Sequence, residues 1–559
     1  MRLHYLLAAI LTLGIVLPRT ISVQRAHSES WDDQYHLIRG MNYWYGEGFD
    51  GYTTLPPLGE GIVALPMVLS GCTIDAPKHD PDYNPLNFTA ADGVLYGQKL
   101  SPETLMFREA VWKSILFVPG ALMVFHIGRR LYGLGSAWLA LGMLLVDPTI
   151  AAHVAPTAVD MVGMFLIIAA LYAQWQWSME PNPWRVVLAS LATAAAMLTH
   201  TIATILPLIA IIFAVLNQPT GVPSADRRGR LVIRRLGGAA LLTMFFIWAL
   251  TLFNVSRPIE HCGLLRANYD QGWNFTVDVV NANLKRSWPA GTYIASLVES
   301  WAQAKNMQGS FVLGRIHPHG VWYYQWVMAY YKVPVGIGLI LLLGIASLWK
   351  RRGRWNELSL LIPLVVFMVQ LMLMTTQPGP RHALSAYLMA MLLASRCMTI
   401  SEWGWRAAAW GGMIVAGIHS AMWHPNYLSY VNWPREKVWL QIGDSSLDWG
   451  QALKQVRDWI DAHAAGQSDV YLVYEGNPSG FSQKHHLANR VRELRPGPLP
   501  RSGLLIISPM YVSGAREEAG AFAVLRNEQP ATIIGDCMLV YDLSKIPVPA
   551  TQPGGTNPP

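Results

Sequence analysis

Long apolar runs parted by short polar connections organise most of this chain. They lie near 3–18, 109–128, 134–150, 157–177, 186–200, 202–217, 236–254, 333–349, 357–375, 383–398 and 405–422. A bilayer core takes about 20 mostly apolar residues per helix, fewer where neighbours shield it, so the pattern predicts about eleven transmembrane helices. Beyond residue 422 the period changes. "GQALKQVRDWIDA" has helical spacing. "DVYLVYEG", "GLLIISP" and "CMLVYDL" are short apolar runs bounded by Gly, Pro and charge, which read as strands. Residues 423–545 are therefore expected to form a small α/β domain. Residues 546–559, rich in Pro and Gly, are expected to be a disordered tail that cannot bury a core.

Charge gives the runs a direction. With the N-terminus inside, the inner connections carry Arg129, Arg130 and Arg185, and then Arg227, Arg228, Arg230, Arg234 and Arg235. Lys350, Arg351, Arg352, Arg354, Arg396 and Arg406 follow on the same side. The outer connection "VDPTIAAHVAP" has no Lys or Arg, and "TTQPGPRH" has only Arg381. This asymmetry fits the positive-inside rule and places 21–108, 255–332 and everything from 423 outside. No small-x-small cleavage site precedes "HSES", so the first run is expected to be retained rather than removed as a signal peptide.

Composition agrees. The chain is 52% hydrophobic and 14% charged, with a mean hydropathy of +0.26, against roughly a quarter charged in soluble proteins. Its 23 Trp suit the headgroup level, and a net charge of +7 needs no nucleic acid to explain it. Four cysteines show no metal-type spacing. A disulfide among Cys72, Cys262 and Cys537 stays open as an expectation on an oxidising side.

With the direction fixed, acids and bases gather at outer helix ends: Asp32, Asp33 and His36, Arg108 and Glu109, Asp147, His153 and Asp160, Arg381 and His382. Charge at a span end is costly unless paired, solvated or used. Each residue also has a plainer reading. Arg108 and Glu109 could end a helix at the headgroups, Asp160 could serve as a first-turn acid, and His153 could simply pack. Arg381 resists such a reading, being the sole basic residue in a short, Pro/Gly-rigid connection. A transporter is the alternative class, but it favours charges at the membrane midplane and broken helices.

The order of motifs resembles a family 39 glycosyltransferase, a membrane-embedded class of GT-C type that includes protein O-mannosyltransferases and the aminoarabinose transferase of lipid A. "DDQYH", "GMNYWYGEG" and "LPPLGEGIVALP" follow the first run as the family's Asp-Glu-x-x-His, Gly-x-x-Tyr and His-Pro-Pro-Leu elements do. "RRLYGLGSAWLALGMLLVDPTIAAHVAPTAVD", "AMLTHTIATILPL", "GVWYYQWVMAYYKVPVG" and "QPGPRHALSAY" match later elements, and "HPNYLSYVN…GDSSLDWGQALKQVRDWI" the outer end of bacterial members. Three positions depart from the pattern. The second acid is Asp33, Leu55 replaces a histidine and His200 replaces a lysine.

The resemblance implies an all-α polytopic enzyme, residues 1–422, in a bacterial cytoplasmic membrane, with its site facing the periplasm or exterior. It implies a sugar donor on polyprenyl phosphate, an acceptor hydroxyl on a protein, lipid or glycan, and inversion at the anomeric carbon. By the motif match Asp32 is the expected general base and Asp33 its support. Arg381 and Arg108 are expected at the leaving phosphate, with His36, His153, Asp160 and His382 lining the cavity. No metal or cofactor is obligatory in such a reaction. An oligosaccharyltransferase-like enzyme would usually carry Trp-Trp-Asp-Tyr-Gly, which this sequence lacks.

Overall fold

The computed structural model describes residues 2–46, 54–74, 93–217, 225–262, 282–306, 309–351, 353–433, 435–467, 469–474, 485–487, 489–494, 497–516 and 520–547. From residue 548 on, the expected tail lies outside them. The described chain divides into two compact units.

The first unit holds residues 1–25, 32–310 and 317–433 and is helical. A helix stands at every one of the expected apolar runs. By length and composition four of these helices are able to cross a membrane: Arg2–Ala26, Pro102–Tyr132, Asp226–Leu250 and Trp355–Leu373. A fifth span arises if Tyr324–Lys332 and Val335–Lys350, bent by 118° at Val333–Pro334, are taken together. Among the described residues the runs at 134–150, 186–200, 202–217 and 383–398 form shorter helices, while Asp160–Met179 and Trp403–Met422 are 20 residues long without being among those spans, so the expected count of eleven spans is not fixed by helix length. Helix breaks shorten two of these runs. Pro148 lacks a backbone donor, and the run 134–150 splits at Asp147 into Leu134–Val146 and Pro148–Ala152. The run 202–217 opens with a turn of 3₁₀-helix, Thr201–Ile205, before Leu206–Leu216.

Phe117, Leu141, Ile168, Leu171, Phe213, Phe367 and Leu388 belong to one buried apolar cluster drawn from most of these helices. Small residues allow the backbones to approach closely. A Cβ on Gly336 would sit 2.0 Å from the Gly412 carbonyl oxygen, and one on Gly412 would sit 2.6 Å from that of Gly336. All four cysteines are free thiols and buried, so the pairing left open by the sequence is not formed.

Two further helices, α1 (Asp33–Tyr45) and α2 (Pro57–Leu69), fall where the sequence suggested only an outer loop. Helix α1 has an acid in its first turn, which suits the helix dipole. It ends at Gly46, whose φ of 65° lets its N–H reach the Asn42 carbonyl. Helix α2 starts after Pro56 with Pro57 at its first position, where a missing N–H costs nothing. The two pack against each other, with the Trp44 indole N–H donating to the Gly61 carbonyl at 2.7 Å. Arg39, midway along α1, meets Glu60, and the Tyr45 hydroxyl donates to the Cys72 carbonyl beyond α2. Gly40 permits the contact, since a Cβ there would lie 2.1 Å from the Glu60 carbonyl oxygen.

The second unit holds residues 26–31, 311–316 and the chain after residue 433. Among the described residues its sheet has five strands: β1 (Val470–Val473), β2 (Arg492–Glu493), β3 (Leu504–Ile507), β4 (Thr532–Ile534) and β5 (Met538–Asp542). Their order is β2-β1-β3-β5-β4. The β1 strand is parallel to β2 and β3, with Leu472 opposite Ile506, while β5 is antiparallel to β3 and β4. Helix Leu453–His463 buries Leu453, Val456 and Ile460, a single face at helical spacing. Residues 26–31 are stitched into this unit, where Ser28 N–H donates to the Gln451 carbonyl and Trp31 N–H to that of Trp449, each at 2.9 Å.

Candidate active site

Asp32 sits at the N-cap position of α1, but its side chain makes no capping bond. It turns instead to Arg381, whose Nη1 donates to its Oδ2 at 3.2 Å. Arg381 comes from the 3₁₀ turn Gly379–Ala383, held by the Gly379 N–H donating to the Tyr324 hydroxyl at 2.8 Å. The pair is partly exposed, 19% for Arg381 and 30% for Asp32, so both groups remain reachable.

Asp33 points the other way and is buried. Its Oδ1 accepts the Thr157 N–H at 2.9 Å, tying α1 to the turn between Pro148–Ala152 and Asp160–Met179. Asp147 belongs to the scaffold of that turn, accepting from the Ile150 N–H at 2.7 Å and the Tyr387 hydroxyl at 2.6 Å. His153 follows. Its Nδ1 lies 2.7 Å from the Thr149 carbonyl, which can only accept, so Nδ1 carries the proton. Burial, aided by the charges of Arg381 and Lys332 and opposed by Asp160, holds the His153 imidazole below its usual range.

Asp160 opens its helix and is buried. Oδ1 lies 3.5 Å from His200 Nε2. The His200 Nδ1 accepts the Ile202 N–H at 3.3 Å, so Nε2 is the donor toward Asp160. The His382 ring stands edge-on to the His200 ring at 5.2 Å. Burial, with His200 and Arg381 nearby, keeps the His382 imidazole well below its ordinary range. Arg381 is also close enough for its charge to act on Asp160. Asp32, Arg381, His382, His153 and Asp160 thus fall in one neighbourhood, with His200 added.

His36 is one step removed. Its Nδ1 is 3.0 Å from Glu60 Oε1, the oxygen that also receives Arg39 Nη2 at 2.7 Å. Arg108 is placed elsewhere. Its Nη1 donates to Ser70 Oγ at 2.7 Å, past the C-terminal end of α2. Ser70 follows Glu60 by ten positions, about 15 Å along the axis of α2.

Two participants escaped the sequence reading. Glu60 stood inside the quoted "LPPLGEGIVALP", and the available signal was a carboxylate between two glycines in an apolar run. His200 was seen only as a departure, yet it is the partner of Asp160. Among the described residues no group of three or more His, Cys, Asp and Glu side chains is arranged to hold a metal ion.

The molecule is thus a helical protein able to cross a membrane, with a carboxylate–guanidinium pair at the centre of a polar cluster. No family model matches the chain, and no curated protein matches it. Among solved structures it is similar to the Archaeoglobus fulgidus oligosaccharyltransferase in the apo form, with 12% identity and a TM-score of 0.45 over 93% of this chain and 72% of that one. It is also similar to ArnT from Cupriavidus metallidurans, with 11% identity over 97% of this chain and 99% of that one. The TM-score is 0.31 for the apo state and 0.30 for the form bound to undecaprenyl phosphate. Likenesses this distant do not bear on activity.

Proposed function

We propose that this chain is a membrane glycosyltransferase that moves a sugar from a polyprenyl-phosphate donor to an acceptor hydroxyl on the extracytoplasmic face. The observation that carries the reading is the Asp32–Arg381 pair, which joins residues 349 positions apart at 3.2 Å. In the reaction the acceptor oxygen forms a bond to the anomeric carbon as its proton passes to an Asp32 carboxylate oxygen. The bond from the anomeric carbon to the phosphate oxygen breaks, and its electrons leave on the phosphate, where Arg381 stabilises them. One displacement of this kind inverts the anomeric centre and needs no metal.

The pairing gives the two groups an order of action. A carboxylate bonded to a guanidinium is a poor base, and a guanidinium bonded to a carboxylate is a poor phosphate clamp. A donor phosphate that takes Arg381 frees Asp32 to accept a proton, so the base becomes competent when the donor is in place. Asp33, anchored on Thr157, fixes the start of α1. His153, Asp160 and His382 line the space around Arg381.

The test is transfer itself. Purified protein in liposomes is given radiolabelled polyprenyl-phosphate sugars, one sugar at a time, with protein, lipid or glycan acceptors. Label moving to an acceptor with loss of the anomeric phosphate is expected. No transfer from any donor, together with flux of the intact lipid across the bilayer, would favour a transporter instead.

A further inference from the structure

Helix Pro102–Tyr132 carries a charge pair within its apolar length. Lys113 and Glu109 are separated by one helical turn, their charged atoms 3.1 Å apart, and both side chains are fully buried. Glu109 has no other hydrogen-bond partner among the described residues. The Lys113 ammonium reaches across to donate to the Ala155 carbonyl. Two residues later, the Thr157 N–H donates to Asp33 Oδ1 at 2.9 Å. The same turn ends at Asp160, the first residue of its helix. The reach of one buried ammonium thus extends, through one short stretch of backbone, to the residue beside Asp32.

Stability alone gives no reason for such a pair. Removing two charges from water costs more than their attraction commonly returns, and well-packed apolar residues of similar size do as well or better. Charges inside a span are rare for that reason and are kept where they do something. A backbone turn between two helices, by contrast, has few means of holding its own shape. This one contains Pro156, which has no donor, and its described bonds are short-range: Val154 N–H to the Ala151 carbonyl and Ala158 N–H to that of Pro156. The bonds from Lys113 and to Asp33 come from distant elements.

We propose that Lys113 is a positioning residue for the catalytic end of α1. Glu109 orients the ammonium, the ammonium pins the Ala155 carbonyl, and the pinned turn presents the Thr157 amide at the height that seats Asp33. Asp32, the next residue, is thereby held where it meets Arg381. This rests on the reading of Asp32 as the base, but the clamp itself does not need that reading to be true, and the two are tested apart.

Three purified variants of the full chain in liposomes serve: Lys113→Met, Lys113→Arg and Glu109→Gln. The first readout is amide exchange by mass spectrometry over 153–158, with 165–175 in the following helix as the reference. Lys113→Met is expected to speed exchange across the turn at least ~10-fold and leave the reference unchanged. Lys113→Arg restores most of the protection, and Glu109→Gln, which keeps the donor but loosens its aim, gives an intermediate value. Unchanged exchange in the turn of Lys113→Met overturns the proposal. If that variant fails to fold, wild-type exchange in Glu109→Gln overturns it equally. The second readout is transfer. The same loosening should lower kcat roughly 10- to 100-fold with donor KM within about threefold, as expected of lost orientation rather than lost binding. Faster exchange with unchanged kcat would leave a structural clamp and end its role in positioning. A wild-type protein that transfers no sugar sinks the glycosyltransferase reading, while the exchange data still decide the clamp.

Discussion

Asp32→Asn removes the proposed base and, at the same stroke, the competitor that the donor phosphate must displace. These effects have opposite signs on different constants. On turnover, general-base catalysis supplies about 100- to 10,000-fold, so kcat should fall by that order. On donor binding the structure predicts a gain. At 3.2 Å the bare attraction is about 5 kcal/mol at an effective dielectric constant of about 20. Solvation of the separated groups returns most of it, since the partners are 19% and 30% exposed. What remains is between an exposed ion pair and a sheltered charged hydrogen bond, about 0.5 to 1.5 kcal/mol. Freed of its carboxylate, Arg381 should therefore bind a lipid phosphate about 2- to 10-fold more tightly. The assay is titration of purified protein in detergent with a short-chain polyprenyl phosphate, followed by single-turnover transfer from the matching sugar donor. Weaker phosphate binding in Asp32→Asn would refute the competition and make Asp32 part of the donor site. Near-normal turnover would remove it as the base.

Three further outcomes can be stated. Arg381→Lys keeps the charge but loses the planar fork and reaches about 1 Å less far; donor KM should rise and kcat should fall at least ~10-fold, and unchanged kinetics would place the leaving phosphate elsewhere. Glu60→Gln leaves Arg39 and His36 facing a neutral amide in a buried site, so the melting temperature should drop by the equivalent of about 2–4 kcal/mol, with an unshifted melt showing that the three groups do not act as a unit. In the second unit, burial pushes the Asp448 carboxyl up against the pull of the Gly450 amide. An acid with a raised folded pKa stabilises the fold below its unfolded value, about 3.9, and that contribution is lost as pH climbs through the folded value. Asp448→Asn should thus gain stability relative to the native chain as pH rises above the unfolded carboxylate value of about 3.9, and parallel melting curves for the two would show that burial costs this carboxylate nothing.

The helices were legible because a bilayer leaves a crude, repeated signal. Every apolar run of the expected length holds a helix, and the short β-branched runs after residue 450 are strands. What the pattern could not show is where a helix breaks. Asp147 followed by Pro148 reads as the middle of a hydrophobic run, yet the carboxylate caps a new helix, and the span is shorter than it looks. Nor could it show α1 and α2. Their mixed polarity gives neither the alternation of a strand nor the length of a span, and each is stabilised mainly by lying against the other.

The site was legible in part, and the division has a physical reason. Asp32 and Arg381 could be singled out because each is conspicuous in its own short segment, a paired acid after a span and a lone base in a rigid turn. Glu60 carries no such local mark. Its meaning depends on α2 lying beside α1, and that in turn depends on Gly40, where any side chain would strike the Glu60 backbone. Arg108 shows the converse case. A basic residue at the outer end of a span looks alike wherever the span ends, and only the fold shows that its guanidinium meets the Ser70 hydroxyl beyond the end of α2. Charge at a helix end can thus be read from sequence, whereas which helix ends meet is decided by glycine contacts and buried ties such as those of Gly40 and Lys113.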